Sequence, residues 1–180
     1  MGRLKRRKAG TMEDLERLYK THYAAVVRFL YRKIWDADRA EDLAQEVFIR
    51  AMAHQPDKPR AWIFAVAANL ARDEARAAIR RRKHLVLLKD DPVPLSTPEL
   101  TADETVEHDE RWAQVTGALA ALTERDREVL LLWDAGLSYP EIAAQTGLAV
   151  GAVGTTLARA RKRLTEAYDR MEYQADAARS

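Results

Sequence analysis

Leu137-Ser138-Tyr139-Pro140-Glu141-Ile142-Ala143-Ala144-Gln145-Thr146-Gly147-Leu148-Ala149-Val150-Gly151-Ala152-Val153 reads as a short helix, a turn and the start of a second helix. The first helix begins near Ser138 and stops at Gly147. The second begins near Val150 and runs into Ala158-Arg159-Ala160-Arg161-Lys162-Arg163-Leu164. Val153, Leu157, Ala160 and Leu164 recur at helical spacing and bury one face. Ala152, Thr155, Arg159 and Lys162 lie on the opposite one. This is a helix-turn-helix pattern, whose second helix fits a DNA major groove. The competing description is a surface helix pair with a solvated basic face.

Outward from this stretch, helical periodicity dominates and alternating strand patterns are nearly absent. The predicted fold is all-α. A first helix is expected over 12–35, with Leu15, Leu18, Tyr19, His22, Val26, Phe29 and Leu30 on its inner stripe. His22 on that stripe reads as a core histidine. Asp36 or Asp38 caps a second helix over 39–53. Two prolines make 54–59 a loop. A third helix spans 60–83, with Ile63, Val66, Leu70 and Ala77 inward. Between 89 and 109, Pro92, Pro94 and Pro98 break the pattern and acids dominate, so a flexible linker with one short helical piece is predicted. A second small domain then starts near Glu110. Trp112, Val115, Leu119 and Leu122 line its first helix. Thr123 caps the next, where Val129, Leu130, Leu132 and Trp133 pack and Gly136 terminates. The expected division is a basic tail 1–11, a helical bundle 12–84, an acidic linker 85–109, a helix-turn-helix domain 110–173 and a frayed tail 174–180.

Composition narrows the function class. With 47% hydrophobic and 32% charged residues, the 180-residue chain reads as soluble and globular. A net charge of +2 says little about nucleic acid, but its distribution says more. Arg3, Lys5, Arg6, Arg7 and Lys8 cluster at the start, Arg80, Arg81, Arg82 and Lys83 in the middle, and Arg159, Arg161, Lys162 and Arg163 near the end. Such segregation suits polyanion-facing surfaces. The absence of cysteine excludes disulfides, thiolate metal sites and a cysteine nucleophile. No apolar run reaches membrane-spanning length and the basic start lacks an apolar core, so a cytoplasmic protein without membrane insertion is expected. His22, His54, His84 and His108 lack metal-type spacing, Ser96 and Ser138 have no nearby base, and no Gly-rich phosphate loop exists. No metal, cofactor or catalytic residue is expected.

Two helices divide their faces. On the second, Ala40, Ala44, Val47, Phe48 and Ala51 point one way, and Asp42, Gln45, Glu46 and Ile49 the other. Charge with an apolar anchor suits a partner-binding surface. An ordinary solvated face with one exposed Ile has the same pattern, and spacing alone does not separate the two. On the third, Asn69, Arg72, Arg76 and Arg80 share a polar side, with Trp62 flanking it at the start. Unpaired bases need stacking surfaces and phosphate-binding cations, and these residues supply both types. For Trp62 alone, a place in the core is the better reading.

From 12 to 164 the chain resembles the extracytoplasmic-function (group IV) class of bacterial RNA polymerase sigma factors. Ala40-Glu41-Asp42-Leu43-Ala44-Gln45-Glu46-Val47-Phe48-Ile49-Arg50-Ala51 is similar to that family's region-two signature. Trp62-Ile63-Phe64-Ala65-Val66-Ala67-Ala68-Asn69-Leu70-Ala71-Arg72-Asp73 resembles the following promoter-melting helix. Leu122-Thr123-Glu124-Arg125-Asp126-Arg127-Glu128-Val129-Leu130 with the helix-turn-helix resembles region four. The resemblance implies a sigma factor that binds core RNA polymerase and directs promoter recognition and transcription initiation, with promoter DNA and an anti-sigma factor as further partners. It places Asp42, Gln45, Glu46 and Ile49 against polymerase. It places His54, Gln55, Lys58, Trp62, Asn69, Arg72, Arg76 and Arg80 on the minus-ten DNA, and Ala152, Thr155, Thr156, Arg159, Lys162 and Arg163 at the minus-thirty-five element. The acidic linker would thread the polymerase channel later used by RNA. The chain departs from the family at Ala65 and Ala68, where arginine is usual, and at Gly154, Thr156 and Ala158, where larger or basic residues are common. Direct readout by the last helix is therefore expected to be weaker, with more of the task left to Thr155, Arg159 and backbone amides. A conventional dimeric repressor, the first rival, has no need of the Asp42 face or the acidic linker.

Overall fold

The computed structural model describes residues 12–54, 56–86 and 106–179. The basic start, Gln55, most of the acidic linker and Ser180 lie outside them. The described residues form seven helices and no strands: α1 (Met12–Ile34), α2 (Ala37–His54), α3 (Pro59–Val86), α4 (Val106–Ala120), α5 (Glu124–Asp134), α6 (Tyr139–Thr146) and α7 (Val150–Arg179). The all-α expectation holds. Helices α1, α2 and α3 pack together, and α7 packs against α4, α5 and α6.

In the first bundle α1 contributes Val26, Phe29 and Leu30, α2 contributes Leu43, Val47 and Phe48, and α3 contributes Ile63, Phe64 and Leu70, all buried. Phe29 and Phe64 meet edge to face with centroids 5.5 Å apart, a geometry worth about 0.5–1.5 kcal/mol beyond area burial. Asp36 caps α2 by accepting the Arg39 N–H at 2.9 Å. Trp35 ends α1 in the left-handed region at φ 59°. Its N–H donates to the Tyr31 carbonyl at 2.7 Å, and its ring lies edge-on to Tyr31 at 5.9 Å. These contacts offset a conformation that costs a bulky residue about 1–2 kcal/mol.

The second bundle buries Leu119, Leu122, Val129, Leu132, Leu137, Ile142, Val153, Leu157 and Ala160. Thr123 caps α5 by accepting from the Asp126 N–H at 3.2 Å. At the other end Leu137 N–H reaches back to the Leu132 carbonyl at 3.1 Å, and Gly136 takes φ 75°, a left-handed helix stop. Two helix ends and one side chain differ from the sequence reading. Helix α4 starts at Val106, within the stretch assigned to the linker, and α7 continues to Arg179 through the stretch assigned to a frayed tail. Trp133 is 42% exposed rather than packed inward, with the Arg161 guanidinium 3.9 Å above its ring.

The bundles are docked on one another. Tyr31 of α1 stacks on Trp112 of α4 with centroids 6.4 Å apart, and Arg127 of α5 lies over Trp35 at 5.9 Å.

Candidate nucleic-acid and polymerase interface

The helix-turn-helix is built as its sequence predicts. Ser138 is the N-cap of α6, with Pro140 in the first turn and Gly147 the C-cap at φ 71°. Glu141 accepts from the Ser138 N–H at 2.9 Å and from its hydroxyl at 2.7 Å. These bonds hold the Glu141 carboxyl below its ordinary range. The turn of 147–149 then leads into α7, whose Val153, Leu157 and Ala160 are buried against the bundle.

On the outward side of α7, Thr155, Arg159 and Lys162 are exposed and Ala152 is half-buried. Lys162 pairs loosely with Glu166 at 3.8 Å. Two nominated residues have partners within the bundle. Thr156 is only 5% exposed. Positions 153, 156, 157 and 160 follow the i, i+3, i+4, i+7 stripe, so Thr156 belongs to the packed flank. Arg163 donates to Asp126, whose side chain is 3% exposed, and so ties α7 to α5. The pair gives the buried Asp126 carboxylate a cation partner. Gly154 lies under the Tyr139 ring, 3.4 Å from the place of a Cβ.

The outer face of α2 has the expected division. Asp42, Gln45 and Ile49 are exposed, Ile49 at 64%, while Ala40, Ala44, Val47, Phe48 and Ala51 are buried. Glu46 forms an ion pair with Arg50 one turn on, and Asp42 lies 3.7 Å from Arg39. Met52, 52% exposed, extends the apolar patch one turn beyond Ile49.

The third nominated surface is only partly open. Trp62 packs on the core with one side and faces the His54 ring at 5.5 Å with another. It also borders a cleft of about 270 Å³ lined by Pro56, Asp57 and Lys58 on one wall and Leu137, Glu141 and Gln145 on the other. Trp62 is thus half-buried, in contact with the core and with the cleft. Arg76 and Arg80 are exposed, and Arg76 pairs with Asp73 at 3.2 Å. Arg81 and Arg39 instead converge on Glu74, at 2.8 Å each. Asn69 and Arg72 are engaged. The Arg72 guanidinium donates to Asn69 Oδ1 at 2.8 Å, to Glu128 Oε1 at 3.1 and 3.2 Å, and to the Gln145 carbonyl at 3.0 Å. Gln55 lies outside the described residues.

Sequence reasoning missed the residues at this junction. Lys33 is buried, with its side chain 3% exposed and its ammonium 3.8 Å from Glu128 and 3.9 Å from Glu124. Burial holds its ammonium below the usual lysine range against the pull of those acids. The signal was present: 26, 29, 30 and 33 form one helical stripe, and a lysine on an apolar stripe needs an acid. Arg60 donates to the Ala135 carbonyl beside Gly136, where any Cβ would collide with the guanidinium. His22, read as a core histidine, is half-buried; burial and then Arg60 hold its imidazole below the usual range. Among the described residues no group of three or more His, Asp or Glu is placed to hold a metal ion, and no helix is long and apolar enough to cross a membrane.

Residues 18–83 match Sigma-70 region 2 and residues 112–164 match Sigma-70, region 4. The chain is 34% identical over 147 residues to the ECF RNA polymerase sigma factor SigL of Mycobacterium tuberculosis, covering 78% of this chain and 80% of that one. The chain belongs to the ECF sigma factors. The ECF sigma factor SigE of Mycolicibacterium smegmatis is 33% identical over 86% of this chain, which spans 62% of SigE's length. Among solved structures, the sigma factor RpoE in complex with the anti-sigma factor NepR from Bartonella quintana aligns with a TM-score of 0.61 at 25% identity, covering 88% of this chain and 98% of that one. CnrH in complex with the cytosolic domain of CnrY aligns with a TM-score of 0.62 at 25% identity, covering 89% and 90%. Both matched regions of this ECF sigma factor are helical bundles, α1–α3 carrying region 2 and α4–α7 carrying region 4.

Proposed function

We propose that this ECF sigma factor binds core RNA polymerase through the outward face of α2 and directs promoter recognition and transcription initiation through two DNA surfaces. Asp42, Gln45, Glu46 and Ile49 dock on polymerase. His54, Gln55, Lys58, Trp62, Asn69, Arg72, Arg76 and Arg80 serve the minus-ten DNA. Ala152, Thr155, Arg159 and Lys162 enter the major groove at the minus-thirty-five element, with Thr156 and Arg163 supporting the helix from behind. The working units are 12–84 and 110–173, joined by the acidic stretch. The chain makes no covalent change in its substrate and acts in the cytoplasm, where transcription takes place. An anti-sigma protein is its expected inhibitor, since both solved neighbours are held in complexes, one with a named anti-sigma factor.

The observation that carries the docking assignment is the two-sidedness of α2. One side is fully committed to the core, while the other presents Ile49 among Asp42, Gln45 and Glu46, uncovered by any other helix among the described residues. Charge steers such an encounter and the apolar anchor holds it. Asp42→Lys with Glu46→Lys reverses the charge of this face. Like charges across an interface cost several kcal/mol, so affinity for core polymerase collapses while helicity in circular dichroism is unchanged. Full affinity in the doubly substituted, folded chain would show that polymerase docks elsewhere.

A further inference from the structure

The outward face of α2 does not end at α2. Tyr19 and Tyr23 of α1 stack on each other with ring centroids 4.6 Å apart. Both rings meet Phe48 of α2, Tyr19 edge-on at 5.0 Å and Tyr23 tilted at 5.9 Å. Phe48 is buried and forms the floor of this cluster. Tyr23 packs on the core beside it. Tyr19 is 43% exposed, and through Phe48 it borders the turn of α2 that carries Ile49 and Met52.

The cluster also carries a short chain of hydrogen bonds. The Tyr23 hydroxyl is bonded to the Gln45 side chain and to Tyr19. Burial and the neighbouring Tyr19 hold this phenol above the ordinary tyrosine range, and the bond to Gln45 pulls it back down. A bond that favours the ionised phenol is one in which the amide N–H donates and the phenol oxygen accepts. The bond to Tyr19 acts the other way, so there the Tyr23 O–H is the donor. The Gln45 nitrogen is thus tied to a ring that is itself stacked, and the Gln45 carbonyl oxygen is left to accept from outside.

An exposed glutamine is ordinarily free about three side-chain bonds, and ordering such a side chain on association costs affinity. Gln45 has met that cost within the fold. Its neighbours on the face, Asp42 and Glu46, are ionised acceptors. The face therefore offers acceptors to a partner that supplies donors, an arginine- or lysine-bearing helix.

We propose that Tyr23 is a positioning residue for polymerase docking: its hydroxyl holds the Gln45 amide, so that the Gln45 carbonyl meets a donor side chain of core polymerase in a geometry fixed before contact. The proposal rests on the assignment of the outward face of α2 to polymerase. Tyr23 acts through Gln45 and does not itself touch the partner, while Tyr19 steadies the Tyr23 ring from the solvent side.

The test uses the full chain labelled with fluorescein at Ser180→Cys, the chain having no other cysteine, titrated with core RNA polymerase and read by anisotropy. Tyr23→Phe keeps the ring on Tyr19 and Phe48 and removes only the hydroxyl. It weakens binding by about fivefold, the factor of one ordinary hydrogen bond, with helicity unchanged. Gln45→Ala weakens binding at least as much, and Tyr23→Phe added to Gln45→Ala costs nothing further, since a positioning residue acts only through the group it positions. A second measurement needs no variant. In the nitrogen-labelled parent chain, NMR shows the Gln45 side-chain amide protons exchanging with solvent more slowly than those of the exposed Gln174. Equal exchange at the two glutamines overturns the proposal, as does an equal further loss when Tyr23→Phe is added to Gln45→Ala. Full affinity in Tyr23→Phe, with binding abolished by Asp42→Lys plus Glu46→Lys, overturns the proposal and leaves the docking assignment standing. Full affinity in both removes the docking assignment and the proposal with it.

Discussion

Glu141 shows how one side chain fixes the entry to the DNA-binding element. Its carboxylate accepts from both the amide and the hydroxyl of Ser138, and these bonds keep its pKa below the ordinary 4.5. The unfolded chain then binds a proton at a higher pH than the folded one. The contribution is fully present above 4.5 and is lost as pH falls through the folded value. Melting temperatures measured between about pH 6 and pH 3 should fall less steeply for Glu141→Gln than for the parent chain, with a lower plateau at neutral pH. Equal slopes would place the acid sensitivity in other carboxylates. Gly154 makes an opposite case. Its Cβ site is 3.4 Å from the Tyr139 ring, ordinary contact distance, and α7 is helical on both sides of it. Gly154→Ala should raise stability by about 0.5–1 kcal/mol, the helix-propensity gain, read as a higher denaturant midpoint. A loss would mean that the Tyr139 ring cannot yield and that the glycine is kept for that contact.

At the scale of elements, the C-terminus of α5 does two things at once. Gly136 takes a left-handed φ of 75° so that Leu137 can turn back toward α6, and its missing Cβ lets Arg60 reach the Ala135 carbonyl. Gly136→Ala meets both obstacles. It should destabilise the second bundle by about 1–2 kcal/mol from backbone strain and also displace Arg60, so thermal denaturation of the variant should show a lowered midpoint. Parent-like stability would show that the turn relaxes into another conformation. The helix-turn-helix, the cap at Thr123, the stop at Gly136 and the two faces of α2 were legible because each depends on residues within one or two turns. The burial of Thr156 and the partner of Arg163 were not legible for a reason in the same physics. Thr156 sits at the border of the buried stripe, where periodicity does not resolve inside from outside. Arg163 is taken by Asp126, 37 residues away, and no local pattern announces such a partner. Acids and prolines concealed the start of α4 in what read as linker, since composition outweighed the periodicity that begins at Val106.

The docking of the two bundles was not legible at all. The bonds that make it join Arg72 to Glu128 and Gln145 across 56 and 73 residues of sequence, and the chain between carries no pattern that pairs them. Only Lys33, a cation on an apolar stripe, hinted that something anionic must come to α1. The placement of the aromatic rings at this junction has a practical result. Of the four tryptophans in the chain, Trp35 lies beneath Arg127 and Trp112 lies on Tyr31, each across the boundary, and Trp62 borders the cleft that α6 closes. Trp133, already at the surface with Arg161 above it, stands apart from them. The protein thus contains its own optical probe of domain separation. Parting the bundles should shift the emission of three indoles toward longer wavelength and open them to iodide quenching, with no loss of helical ellipticity. Asp134→Lys, which sets a cation against Arg32 at the rim of the junction, should show that change; emission that stays fixed would mean that each indole's surroundings are set within its own bundle.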